Sequence, residues 1–465
     1  MQTELNNLSD AKVGGPVLPA RPFSRTPDAA TRRRNAVDWM ARQIVSLGGV
    51  AIIFSILGIF LVILLEIYPL FLGARSRLAV EQPLPVAKEQ QNQTILAAAQ
   101  DEYREMAYTL GPRGLAFHSL KDGKLLSEAP LEGQGEARIS AISAMLRGIF
   151  AAGLSDGRVI PVEVKFKSTY KDVPGQNQPE RSIAYEVTAQ PPVQVLPPGQ
   201  PVTLLAYQGQ DRDKPLTAVK AGEKEFALVR VNIKQALAGG GQRTTVVEKY
   251  LAPASAEITA MALDESQDNL ILGAADGNLL RVGLKGATPE FGKLIRAGDA
   301  RITLLGLLNG DRTLIAGDER GGVSSWHITP RMDAAESLKK VYSLGGHAHA
   351  ITMFSPSMRD KSFVIGDAGS GLVLHYATTG VALLDLSSNQ RLLSAALSPK
   401  ADGLLTVDAS GMLRSRDIVN EHPEATLRGL FGKVQYEGYA KPDYVWQSHG
   451  GTDDFEPKFS LTPLA

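Results

Sequence analysis

The sequence predicts a mainly β protein: a β-propeller of about seven blades, tethered by one N-terminal transmembrane α-helix. Three observations carry this expectation. A charge-free apolar run lies near the N-terminus, a unit repeating every 42–49 residues fills the C-terminal half, and beyond Thr94 there is almost no sustained helical periodicity.

The apolar run is "IVSLGGVAIIFSILGIFLVILL", Ile44 to Leu65, in which sixteen residues are Ile, Leu, Val or Phe. At about 1.5 Å per residue it spans roughly 33 Å as a helix, enough for a hydrocarbon core of about 30 Å. It is longer than a signal-peptide core and follows a charged segment, so it reads as an uncleaved anchor with span ends at Ile44 and Leu65. Lys12, Arg21, Arg25, Arg32, Arg33, Arg34 and Arg42 precede it against four acidic residues, while Arg75, Arg77 and Lys88 follow. That asymmetry puts the N-terminal tail in the cytoplasm and everything after Leu72 outside. Glu66 sits at the outer end of the span beside Tyr68 and Pro69, where water reaches it. The stretch "LAVEQPLPVAKEQQNQ", Leu78 to Gln93, is polar with two prolines and reads as a linker.

The repeat shows in four units. "ITAMALDESQDNLILGAADGNLLRVGL" begins at Ile258, "ITLLGLLNGDRTLIAGDERGGVSSWHI" at Ile302, "ITMFSPSMRDKSFVIGDAGSGLVLHYA" at Ile351 and "LSAALSPKADGLLTVDASGMLRSRDI" at Leu393. Each reads as an apolar strand, a polar turn, a second strand, a Gly/Asp turn and a third strand, which is the grammar of a propeller blade. One such sheet cannot bury both faces, whereas a closed ring can, and closure also protects strand edges. "ISAISAMLRGIFAAGLSDGRVIPVEV" from Ile139 fits the same template. "LGPRGLAFHSLKDGKLLSEAP" and "VTLLAYQGQDRDKPLTAVKAGEKEFALVRVNI" fit it loosely, giving roughly seven units. "GGHAHAIT" sets Gly346-His347 before a first strand and "VSSWHI" sets Trp326 on a third strand. These positions resemble the glycine-histidine and tryptophan-aspartate marks of WD40-type blades, although His327 stands where Asp is usual.

Composition excludes much chemistry. Basic and acidic side chains balance at 49 each, so no single-sign field points to nucleic acid. Cysteine is absent, which removes disulfides, thiolate metal sites and thiol nucleophiles. The run "AGGGQRTT", Ala238 to Thr245, lacks the Gly-Lys-Ser/Thr ending of a phosphate loop and reads as a flexible blade-to-blade loop. His347 and His349 are two residues apart with no further ligand tied to them, so no metal or cofactor is expected. Asp276, Asp318, Asp367 and Asp408 recur at equivalent turns and read as turn formers, not as a carboxylate site. The exterior part is expected to be a binding or scaffolding module without a catalytic site.

After the last unit comes "LRGLFGKVQYEGYAKPDYVWQSHGGTDDFEPKFSLTPLA", Leu427 to Ala465. Leu427, Leu430, Phe431 and Val434 suggest an amphipathic segment on the membrane surface, with Tyr436, Tyr439, Tyr444 and Trp446 as an interfacial belt. A polar tail packed against the propeller is the competing reading. The stretch "YVWQSHGGTDDFEPKFSLTPL" carries Trp446, Gln447, Gly451, Thr452, Asp453, Asp454, Phe455, Glu456 and Pro457. It resembles the lead-in to the core membrane spans of bacterial phosphate ABC transporter permease subunits, of the PstC type. The similarity is to a long form with a large insert between its first two spans.

The resemblance implies a role in phosphate import at the bacterial inner membrane, with a periplasmic propeller. It implies as partners a second permease subunit, a cytoplasmic ATPase and a periplasmic phosphate-binding protein, besides the lipid bilayer. The family's translocation core is not in this sequence, no phosphate-contacting residue carries over, and "FSLTPLA" reads as a lead-in to missing spans. The expected domains are a basic cytoplasmic tail (1–43), the membrane helix (44–72), a linker (73–93), the propeller (94–425) and an interfacial lead-in (426–465). The alternative is a membrane-anchored scaffold in envelope assembly with no transport role.

Overall fold

The computed structural model describes residues 29–68, 72–84, 95–171, 180–234, 242–330, 332, 337–420, 422–447 and 456–462. The chain divides into two units, 1–69 and 70–465.

The first unit is one helix, α1 (Ala29–Ile67), 39 residues long, none of them buried. Its most apolar 18-residue stretch has a mean hydropathy of 3.0, so it is long and apolar enough to cross a membrane. Ile44 and Leu65 are both exposed and both lie inside it, because the helix extends back through Arg32, Arg33 and Arg34. Residues 29–43, expected in the basic tail, are therefore helical. No proline or glycine stands there, so nothing stops the helix at the edge of the apolar run.

The second unit is a WD40-like propeller of seven blades. Blade 1 runs over 97–129, blade 2 over 139–194, blade 3 over 205–251, blade 4 over 258–296, blade 5 over 302–344 and blade 6 over 351–385. Each is an antiparallel meander whose strands are paired in sequence order, except that blade 2 has two strands, Glu180–Ala189 and Val193–Gln194, pairing with its long third strand. Blade 7 takes Leu392–Leu397, Gly403–Asp408 and Met412–Val419 from the C-terminal side, and its outer strand from the other end of the unit. That outer strand is Arg75–Pro83, running from Arg75 opposite Val419 to Pro83 opposite Met412. Residues 75–83 of the segment expected as a linker (73–93) are thus the strand that closes the ring, and residues 85–93 lie outside the described part. The strand's polar side chains and Pro83 hid this, yet an edge strand tolerates both, since only one of its sides must pair. Glu81 and Arg414 join across the pair, and Leu84 N donates to Gly411 O at 2.8 Å.

The core confirms closure. Among the described residues, seven buried apolar clusters are found, each shared by one pair of adjacent blades and together accounting for every neighbouring pair. The last of them joins Leu405, Val407 and Leu413 of blade 7 to Ala98 and Ala107 of blade 1. No blade has a core of its own, which is why the repeat must close on itself.

Blade spacing depends on small residues. A Cβ added to Gly273 would lie 2.6 Å from Ile302 Cγ2, and one added to Gly317 would lie 2.5 Å from Ile351 Cγ2. In both cases a second-strand glycine opposes the first residue of the following blade. Gly317→Ala therefore forces two blades apart and is expected to cost about 1–3 kcal/mol, read as a lower Tm. Gly298→Ala, where nothing lies within 4 Å, is the control and should stay within about 0.5 kcal/mol.

The recurring aspartates act as turn formers. Asp318 Oδ1 accepts from the amides of Arg320 and Gly322, Asp367 Oδ1 from Gly369 and Gly371, and Asp408 Oδ1 from Ser410 and Met412. Asp276 Oδ1 accepts from Asn278 N at 3.3 Å. The "AGGGQRTT" run lies elsewhere than expected. Its residues 242–245 belong to the outer strand of blade 3, Gln242–Leu251, so the run sits within one blade and not between two. Residues 238–241 are outside the described part.

Candidate functional site

The most elaborate polar site in the second unit lies where the C-terminal segment, 422–447 and 456–462, packs on blades 5 and 6. In an antiparallel meander the turns after first and third strands share one face of the ring, and the remaining turns share the other. Residues 308–312 and 357–361 are first-to-second turns, and 377–380 is a third-to-fourth turn, so they all belong to one face. The C-terminal segment straps across that face.

Local sequence shapes the strap. Thr426 caps a short helix, α2 (Leu427–Phe431), its side chain accepting from Gly429 N at 3.0 Å. Leu430 is buried, as are Val434, Tyr436 and Ser460. Leu461 N donates to Leu430 O at 2.8 Å, and Trp446 pairs with Phe459 in a two-stranded sheet. This overturns the amphipathic grouping: Leu430 and Val434 face the propeller, while Leu427 is 76% and Phe431 55% exposed. Tyr436 is likewise buried and takes no part in an interfacial belt. The competing reading, a tail packed on the propeller, is what the fold adopts, because the strap supplies its own inward apolar residues.

Beneath the strap lies a buried charge cluster. Lys361 Nζ donates to Glu437 Oε1 at 2.8 Å and to Asn309 O at 2.6 Å, and its side chain is 2% exposed. Thr313 Oγ1 donates to the same Glu437 oxygen. Glu437 N in turn donates to Glu456 Oε2 at 2.8 Å. Burial, reinforced by the Glu437 carboxylate, pushes the Glu456 carboxyl up to about 7. His327, near Glu437, is pushed down to about 4 by burial. Around this centre Lys339 Nζ donates to Ala440 O at 2.6 Å, Gln435 N donates to Tyr342 Oη at 3.4 Å, and the Arg428 guanidinium lies 4.6 Å from the Tyr342 ring centre. The arrangement is a dock: it holds a strap, with Glu437 on the buried Lys361 ammonium and Glu456 on the Glu437 amide.

Of the residues in the expected lead-in motif, Glu456 belongs to this dock and is 5% exposed, and Pro457 is half-buried. Trp446 and Gln447 are exposed and pair with Phe459 and Lys458. Gly451, Thr452, Asp453, Asp454 and Phe455 lie outside the described residues. Lys361, Thr313 and Glu437 were not singled out by sequence. They come from three places, and "MRDKS" around Lys361 looks like any polar turn.

Trp326 is buried on the third strand of blade 5, its Nε1 donating to Ser324 Oγ at 2.9 Å. His347 is buried with Nδ1 3.6 Å from Asp367 Oδ2, whereas the His349 side chain is 64% exposed. Among the described residues, no group of three or more His, Cys, Asp or Glu side chains is placed to hold a metal ion.

No protein-family model and no curated protein matches the sequence. Among solved structures, a chain of the mitotic checkpoint complex is similar at 14% identity, covering 74% of this chain and 95% of that one, with a TM-score of 0.48. The β-propeller domain of Cps50 (Swd1) from Myceliophteria thermophila is similar at 12% identity, covering 73% of this chain and 100% of that one, with the same TM-score of 0.48.

Proposed function

We propose that this chain is the anchored-propeller portion of an inner-membrane permease subunit in a phosphate ABC import system, with its N-terminus cytoplasmic and its propeller periplasmic. One observation supports this most. The chain enters the ring at Arg75, opposite Val419 at the end of a third strand, and so on the face that carries the strap. A domain inserted between two membrane spans needs its incoming and outgoing chain on one side, whereas a free-standing scaffold has no such requirement. The resemblance of Trp446–Pro457 to a permease lead-in adds the phosphate assignment, and Glu456 within it is an anchoring residue of the strap.

Among the described residues, one helix is long and apolar enough to span a membrane, and a single span encloses no polar path. On this reading translocation belongs to further spans and the partner permease subunit. The cytoplasmic ATPase drives it and the periplasmic phosphate-binding protein delivers the ion. The propeller's part is to present a rigid docking face. The test is affinity purification of the full chain from native membranes after mild solubilisation, with phosphate uptake measured in cells lacking it. Co-purification of an ATPase and a multi-span subunit, with reduced uptake, is the expected result. Envelope-assembly proteins in their place, with uptake unchanged, would move the scaffold reading ahead.

A further inference from the structure

The outer surface of the strap combines apolar and basic groups. Leu427 and Phe431 are four residues apart on α2 and are both exposed, while Leu430, although near Leu427 by helical spacing, is buried. In the strap Trp446 pairs with Phe459 while Ser460 Oγ and Leu461 N donate to Leu430 O, and Trp446 and Tyr439 are 41% and 37% exposed. Exposed basic residues, Arg428, Lys433 and Lys441, accompany these apolar groups. Between 427 and 447 the acidic residues are Asp443, which is exposed, and Glu437, which is buried against Lys361.

Exposed aliphatic and aromatic side chains with a surplus of Lys and Arg suit the headgroup region of a bilayer, where the ring edges and basic heads stay wet and the apolar parts leave water. The same face receives the chain at Arg75, the start of the closing strand, and the apolar helix ends at Ile67, only a short stretch earlier in sequence. We infer that the outer surface of the strap is a lipid-contact surface that rests on a bilayer rich in anionic headgroups, with Leu427 and Phe431 inserted and Lys433 and Lys441 paired to the headgroups. The inference rests on the membrane-anchor part of the proposed function and goes beyond it, since an anchor alone requires no contact from the propeller. It also gives the dock a purpose: Lys361 and Glu437 hold α2 with its apolar pair turned outward.

The absence of cysteine makes the test clean. The full chain is reconstituted into lipid nanodiscs after Leu57→Cys, Leu427→Cys or Ala409→Cys, each labelled with an environment-sensitive fluorophore and probed with doxyl-lipid quenchers. Leu57 is in the helix, and Ala409 is exposed on the opposite face of the ring. The expected result is quenching at 57 and 427 but not at 409, with quenching at 427 stronger in discs containing phosphatidylglycerol than in phosphatidylcholine alone. The double variant Lys433→Gln/Lys441→Gln, which leaves Arg428 on Tyr342, should then weaken lipid contact at 427 by at least about fivefold, on the scale of one lost headgroup attraction, and leave 57 unchanged. Quenching at 57 without quenching at 427 overturns the surface and leaves the anchor standing. Quenching at 427 that is blind to anionic lipid and to the double variant also overturns it. Quenching at neither position overturns the anchor reading itself.

Discussion

Lys361→Met should free the C-terminal strap while leaving the seven blades folded. Lys361 is buried, and among the described residues its ammonium is the positive group that Glu437 meets directly within the dock, at 2.8 Å. Removing a single partner from a buried pair leaves an uncompensated charge, which typically costs about 3–5 kcal/mol. Here a second carboxylate, Glu456, sits next to the first, so the residual charge has nowhere favourable to go. The strap is held otherwise by buried Leu430, Val434 and Tyr436 and by the contacts of Lys339 with Ala440 and of Tyr342 with Gln435 and Arg428, and a loss of this size outweighs them. Amide exchange should therefore rise by about two orders of magnitude or more across 427–447, with blade strands such as Phe363–Ile365 still protected. The double variant Lys361→Met/Glu437→Leu should regain much of the docking, because an apolar pair of similar volume often replaces a buried ion pair at little cost. Unchanged exchange in the single variant would show that the cluster does not hold the strap.

Docking of the strap should weaken as pH rises through about 7, and Glu456→Gln should abolish that dependence. The folded carboxyl is raised from 4.5 to about 7, first by burial and then by Glu437. A raised pKa means that the docked state binds a proton the free strap has already lost. Docking is thus strongest below about pH 4.5, weakens as pH rises through about 7, and levels off above it. The full span corresponds to at most about 3 kcal/mol. The groups facing Glu456 are Glu437 on the strap, Lys361 on blade 6, Thr378 on the turn after the third strand of blade 6, and the Tyr342 and Tyr376 rings. Burial disfavours the charged carboxylate, and protonation also removes its repulsion with Glu437, which is why the neutral form is favoured. The amide introduced by Glu456→Gln keeps an oxygen to accept from Glu437 N and carries no charge, so the strap of this variant should stay docked at pH 8.

Exchange of the strap amides, corrected for intrinsic rates and followed from pH 5 to 8, is the appropriate readout. Asp311, also raised to about 7, receives Glu265 N across blades 4 and 5 and acts on the ring itself. His327, lowered to about 4, gives the opposite slope, its contribution being lost as pH falls toward that value. Both titrate in the natural chain and in Glu456→Gln alike, so the difference between the two profiles isolates Glu456. A strap whose protection follows the same pH profile in both chains would sink the assignment.

Much of the ring was legible because it is written locally. Asp318 and Asp367 cap turns made of their own next four residues, and the apolar runs at Ile258, Ile302 and Ile351 recur at blade spacing. The closing strand was not legible. Arg75–Pro83 pairs with Met412–Val419, more than three hundred residues away, and an edge strand with one side paired has no need of the apolar alternation that marks a central one. The same holds for the dock, where Thr313, Lys361 and Glu437 meet only after blades 5 and 6 and the strap have come together.

The sequence by itself determined the apolar helix, the repeat and its turns, since these depend on composition and on contacts between near neighbours. It also determined the aromatic residues of the C-terminal segment, Tyr436, Tyr439, Tyr444 and Trp446. Which of those residues face inward was decided only by the tertiary structure. Helical spacing puts Leu427 and Leu430 close enough to share a face, yet the fold buries one and exposes the other, because the surface that receives Leu430 is built by distant residues. Burial of Lys361 and Glu456 has the same origin: a charge leaves water only where partners from elsewhere in the chain are already in place to meet it.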